Sequence, residues 1–218
     1  MKKIYFIILM TIPFLFSCKN EKKTNSNAIT FSVNELSFNM IPVDGSNFSI
    51  GETEVTIGLW KSIMGTNPGY FNGDEKPVER VSWNDVQVFI EKLNAITGKT
   101  FRLPTEAEWE FAAKGGDASK GFKYSGSDDL DEVGWYYDNG DERTHPIKEK
   151  KANELGIYDM SGNVAEWCAD TTSGGGRSYR GGGWYSMAKG CQTDKKNSYD
   201  PSMAYNYLGF RILLENQK

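Results

Sequence analysis

Positive charge is the first thing this sequence has little of. It carries 25 Lys and Arg against 29 Asp and Glu, a formal net charge of −4, and its pI is near 5.2. Nucleic-acid binding needs a basic face, and no basic excess is available to build one. Histidine is nearly absent. His145 is the only one, so no multi-histidine metal centre can form, and its place before Pro146 reads as a loop. Cysteine is limited to Cys18, Cys168 and Cys191. Long apolar runs are also missing. The one candidate, residues 4–16, is too short to cross a bilayer as a helix.

What is present is globular. Hydrophobic residues make up 39% and aromatic residues 13% of the 218, enough to bury the core of one domain. The 23 glycines point to many turns and irregular segments.

The N-terminus reads as a leader. Met1-Lys-Lys3 is basic, residues 4–16 are apolar, and Leu15-Phe-Ser-Cys18 closes the run. This pattern fits a signal peptide over residues 1–17 with a lipobox and lipidation of Cys18. Removing Lys2 and Lys3 takes the net charge from −4 to −6. Residues 18–30 are polar and read as a lipidated tether. The expected location is the bacterial cell envelope, on the periplasmic side or the surface. The membrane contact is through the lipid anchor only.

Residues 31–218 then form the domain. Residues 31–50 read as a hairpin of two short strands around Val43-Asp-Gly-Ser-Asn47. Leu59, Trp60, Ile63 and Met64 fall at helical spacing between the N-cap candidate Thr56 and the stop candidate Gly65. Ser82 with Asp85 opens a second helix, whose face is Val86, Phe89, Ile90 and Leu93 and which Gly98 ends. Thr105 with Glu108 forms a capping box for a third, with Trp109, Ala112 and Ala113 turned inward. Glu106, Glu108 and Glu110 read as helix-start acids rather than a catalytic cluster.

Two stretches carry the candidate chemistry. In Gly156-Ile-Tyr-Asp-Met-Ser-Gly-Asn-Val-Ala-Glu-Trp167, the carbonyls of Ser161, Gly162 and Val164 can converge with Glu166 on a Ca²⁺ ion. The competing reading has Asn163 and Glu166 tie down a buried turn. In Arg180-Gly-Gly-Gly-Trp184, three glycines bend the chain and allow a close backbone approach. They deliver Trp184 and Tyr185 either to a surface or into an aromatic core.

Four stretches in this order resemble one family: Glu54-Val-Thr56, the FRLPTEAEWE of residues 101–110, the GIYDMSGNVAEW of residues 156–167, and Arg180-Gly-Gly-Gly-Trp184 with Leu208-Gly-Phe-Arg211. They look like the formylglycine-generating enzyme, or sulfatase-modifying factor, domain. The resemblance implies an α+β, C-type-lectin-like fold with little regular secondary structure. It also implies a structural calcium on Ser161, Gly162, Val164 and Glu166. Catalytic members oxidise a sulfatase cysteine to formylglycine with O₂ and Cu(I) held by two cysteines five residues apart.

Here those two positions fall on Ser186 and Cys191. A serine hydroxyl does not replace a soft thiolate, so copper is not expected. The family's Gly-Gly-Ser serine is Gly183, and the strand before Glu54 looks curtailed. In an oxidising envelope Cys168 and Cys191 can pair or stay free.

Three functions follow as expectations. The first is a non-catalytic member binding an unknown protein or small ligand through Trp184, Tyr185, Ser186, Tyr199, Tyr205 and Tyr207, residue types suited to adaptable contacts. The second is a formylglycine-generating oxidase. The third is a structural part of an envelope assembly.

Overall fold

The computed structural model describes residues 27–216. The expected signal peptide, the expected lipidation site Cys18 and most of the expected tether lie outside the described residues. No helix among those described is long and apolar enough to cross a membrane.

Three strands, not two, open the domain: β1 (Ile29–Val33), β2 (Leu36–Pro42) and β3 (Phe48–Gly51). The extra reversal is at Asn34 and Glu35, both left-handed with φ of 48° and 71°, a geometry that suits a two-residue hairpin turn. β3 runs directly before Glu54, so the strand expected to be curtailed is present.

The helices start and stop where local chemistry directs. In α1 (Ile57–Met64), the Thr56 hydroxyl accepts the Leu59 N–H, and Gly65 closes the helix at φ 88°. α2 (Trp83–Thr97) opens with a reciprocal Ser82–Asp85 capping box and ends on left-handed Gly98. α3 (Glu106–Ala113) opens with the same device in Thr105 and Glu108. Each cap satisfies backbone N–H groups that the first helical turn leaves unpaired. A short α4 (Leu130–Val133), N-capped by Asp129, adds a helix beyond the three expected.

Further strands are β4 (Phe101–Arg102), β5 (Ala165–Thr171), β6 (Arg177–Arg180), β7 (Lys196–Tyr199), β8 (Leu208–Gly209) and β9 (Leu213–Glu215). They form two sheets, β1-β2-β3-β9-β4 and β7-β6-β5-β8. β3 pairs with β9 antiparallel, so both ends of the domain share one sheet. The core lies between the helices and these sheets. Trp60 stacks on Phe89 at 5.2 Å between ring centroids, and Phe210 meets both rings edge-on.

Glu106, Glu108 and Glu110 are separate ion-pair partners, not a cluster. Glu108 grips Arg102 through two bonds of 2.8 and 2.7 Å. Glu110 meets Arg180 at 2.6 Å, and Glu106 faces Lys196 at 3.9 Å. His145 is a loop residue, but a buried one. Its ring stacks on Trp135 at 3.9 Å and its Nε2 lies 2.9 Å from the Gly140 carbonyl.

Candidate ligand-binding face

β6 ends at Arg180, where three glycines redirect the chain. Gly181 and Gly182 are left-handed, at φ 86° and 66°. At Gly183 the constraint is space: an added Cβ would lie 2.9 Å from the Tyr207 carbonyl oxygen and 3.0 Å from that of Asn163. The bend seats Trp184, whose backbone N–H donates to the Asn163 carbonyl at 2.8 Å. Its indole N–H donates to the Asn206 carbonyl at 2.9 Å.

Trp184 is therefore the floor of the face, only 9% exposed. Tyr185, the next residue, is 61% exposed, while Tyr199, Tyr205 and Tyr207 are half-buried. The β6–β7 register sets Arg177 opposite Tyr199 and Tyr179 opposite Asn197, so Tyr179 and Tyr199 share a face. A row of rings follows. Tyr179 stacks on Tyr199 at 4.9 Å, Tyr199 meets Tyr205 at 4.8 Å, Tyr205 stacks on Tyr207 at 5.3 Å and Tyr207 on Tyr185 at 6.0 Å.

Trp184 meets Tyr185 at 5.6 Å and carries the row on to Phe71 at 5.7 Å. Tyr70 stands edge-on to Phe71 at 5.1 Å. All six expected contact residues lie in this one region. Tyr179, Tyr70 and Phe71 were not expected. Tyr179 borders the motif and alternates correctly with Arg180, a signal that was legible. Nothing local ties Tyr70 and Phe71 to Trp184.

The phenols are linked as well as stacked. The hydroxyls of Tyr199 and Tyr207 lie 3.0 Å apart. Burial, followed by this hydrogen bond, pushes the Tyr207 phenol above its ordinary value.

Ser186 and Cys191 sit at the edge of this face. The Ser186 hydroxyl accepts the Gly183 N–H at 3.0 Å. Cys191 is fully buried, and burial pushes its thiol up to about 12. One hydroxyl and one protonated, enclosed thiol do not fit Cu(I), which needs thiolates. Cys168 and Cys191 are both free and belong to different core clusters, so the pairing alternative is not realised.

The segment expected to hold calcium is tied by hydrogen bonds. The Asn163 side chain accepts the His145 N–H at 3.0 Å and donates to Glu54 at 3.2 Å. The Val164 N–H donates to the same carboxyl at 3.2 Å. Ser161 Oγ accepts the Ser125 N–H at 3.1 Å, and the Gly162 N–H donates to the Gly181 carbonyl at 3.0 Å. Both Glu166 oxygens are bonded by Arg211 at 2.6 Å, and Trp109 donates to one of them at 2.6 Å.

A carboxylate already neutralised by a guanidinium does not recruit a dication, so Ser161, Gly162, Val164 and Glu166 as arranged do not fit calcium. Among the described residues, no group of three or more His, Cys, Asp or Glu is placed to hold a metal ion.

Two curled sheets, short helices and long bonded loops define a C-type-lectin-like domain. Residues 25–216 match the family described as Sulfatase-modifying factor enzyme 1-like domain, and the chain belongs to this family. It is 32% identical to "Chaperone protein LppX" of Paenibacillus barcinonensis, over 97% of this chain and 98% of that one. It is 31% identical to the formylglycine-generating enzyme of Streptomyces coelicolor, over 70% of this chain and 57% of that one.

Identity is also 31% to the "Inactive C-alpha-formylglycine-generating enzyme 2" of Mus musculus, over 70% and 54%. The chain thus spans little more than half the length of these last two, and overall identity does not separate active from inactive relatives. Among solved structures, Treponema denticola variable protein 1 superposes with a TM-score of 0.76 at 29% identity, covering 86% of this chain and 99% of that one.

Proposed function

We propose that the chain is a lipid-anchored, extracytoplasmic member of its family that binds a partner polypeptide through the aromatic face and does not oxidise cysteine. The observation that carries this reading is the tyrosine row from Tyr179 to Tyr185. Tyrosine gives broad, rigid, amphipathic contact area at small entropic cost. The row is extended by exposed Tyr70 and Tyr137, and an apolar patch of this breadth marks an interaction surface.

The relative that matches nearly end to end is named a chaperone protein, which supports an incompletely folded polypeptide as the partner class. The non-catalytic half rests on Ser186 and on the enclosed Cys191. Anchoring rests on Leu15-Phe-Ser-Cys18.

Fluorescence anisotropy with labelled, reduced and carboxymethylated α-lactalbumin, a permanently unfolded probe, tests the binding. Saturable binding is expected, weakened about tenfold by Tyr185→Ala or Tyr207→Ala. No binding, or binding indifferent to both variants, removes the reading. In parallel, a Cys-x-Pro-x-Arg peptide with Cu(I) and O₂ is expected to yield no aldehyde by mass. Turnover there restores the oxidase.

A further inference from the structure

Glu79 lies behind the far end of the aromatic face. Its carboxyl is fully buried. Oε1 accepts the Phe71 N–H at 2.9 Å. Oε2 is buried with no hydrogen-bond partner. The loop is pressed onto this carboxyl, since a Cβ added at Gly69 would lie 2.3 Å from Oε1. Asn67 closes the loop from within: its side chain accepts the Gly69 N–H at 2.9 Å and donates to the Phe71 carbonyl at 2.9 Å. The loop's outer end is Phe71, edge-on to Trp184 at 5.7 Å.

A buried ionised carboxyl needs donors on both oxygens or an opposite charge. Glu79 has donors on one oxygen only. The single charged group acting on it is Arg80, whose own backbone is left-handed at φ 59°. Residues 67–71 bring no charge. Burial outweighs the neighbouring backbone amides and Arg80, and pushes the carboxyl up to about 7.

We propose that Glu79 is a positioning residue for the aromatic face, a buried carboxyl whose protonation keeps the 67–71 loop closed, holding Phe71 against Trp184 and Tyr70 against Phe71. The sign follows from linkage. A carboxyl that holds its proton more tightly with the loop closed than with it open favours closure as pH falls. As pH rises, the ionised group gains by reaching water, and the loop lifts. The loop equilibrium stands on its own geometry; only the effect on ligand affinity rests on the binding proposed above.

Amide hydrogen exchange in the full chain tests it. The protection factor at Phe71, taken over the unstructured exchange rate at each pH, is read alongside that at Phe89 in α2, which reports global unfolding and must stay the larger of the two. The Phe71 factor is expected to fall about tenfold between pH 6 and 8, and to be independent of pH in Glu79→Gln. A pH-independent Phe71 factor in the unmodified chain overturns the proposal, as does an equal fall in Glu79→Gln. If that variant does not fold, the unmodified chain alone decides. The α-lactalbumin probe separates the two readings. A pH-dependent loop without probe binding sinks the binding face and leaves Glu79 standing. Probe binding with a pH-independent loop does the reverse.

Discussion

Arg211 lies fork-on against Glu166, with Nε and Nη2 each 2.6 Å from one carboxylate oxygen and both side chains fully buried. The remaining donors of Arg211 reach the Gly51 carbonyl at 3.0 Å and the Tyr158 carbonyl at 2.9 Å. With Trp109 also bonded to Glu166, this pair ties β3, α3, β5 and the C-terminal segment together. Such a pair resists the loss of one partner, because the survivor is left charged and buried.

Arg211→Met is therefore expected to cost about 3–5 kcal/mol in chemical denaturation. Glu166→Ala is expected to lose stability equally in Ca²⁺ and in chelator, because its partner is a guanidinium. A loss seen only in Ca²⁺ would reinstate the metal.

Two more carboxyls share this interior. Burial, then the neighbouring Asp159 and Glu166 charges, hold Glu54 well above the usual carboxylate range. Burial pushes Asp159 up to about 6, and its Oδ1 has no partner. Groups raised in the folded state stabilise it below their unfolded pKa and lose that contribution as pH rises through the folded value. Lowering pH from 7.5 to 5.5 is therefore expected to raise Tm, and Asp159→Asn to reduce that rise. A Tm that falls over this interval contradicts the assignment.

The thiols give a third expectation. Cys168 is fully buried, and burial pushes its thiol far up; Cys191 is raised to about 12. Neither is expected to react with iodoacetamide at pH 8 until the chain is unfolded. Ser186→Cys is expected to add one site that reacts in the native state, counted by mass. Rapid native labelling of Cys191 would show that its enclosure is not maintained.

Gly183→Ser would rebuild the family's Gly-Gly-Ser triplet. The new Cβ meets two carbonyl oxygens and the Ala165 nitrogen at 2.9 to 3.1 Å. The expected cost is about 1–3 kcal/mol. A neutral substitution would mean the β5 to β8 backbone yields more readily than its packing implies.

Much of the framework was legible because it is local. Thr105 with Glu108, Ser82 with Asp85, and the glycines at 65 and 98 act within one or two helical turns, so their spacing is their mechanism. The Asn34-Glu35 turn was missed because neither residue is glycine, and its left-handed backbone is stabilised by the β1–β2 pairing on either side. Helix α4 was missed because four residues make no readable period.

The candidate face was legible as composition and not as geometry. Trp184 and the tyrosines are named by the motif and the segment behind it. The contact of Trp184 with Phe71 joins segments more than a hundred residues apart, and the stacking order depends on how β6, β7 and the segment before β8 fold together.

By itself, the sequence determined the residue pattern read as a leader, the boundaries of α1, α2 and α3, the family motifs and a serine at position 186, because each is written in neighbouring residues. Tertiary structure alone decided that Glu166 faces Arg211, that Cys168 and Cys191 lie apart, and that Glu79 is buried under the loop carrying Tyr70. Those outcomes depend on which distant groups share a low-dielectric interior, and no local spacing encodes that.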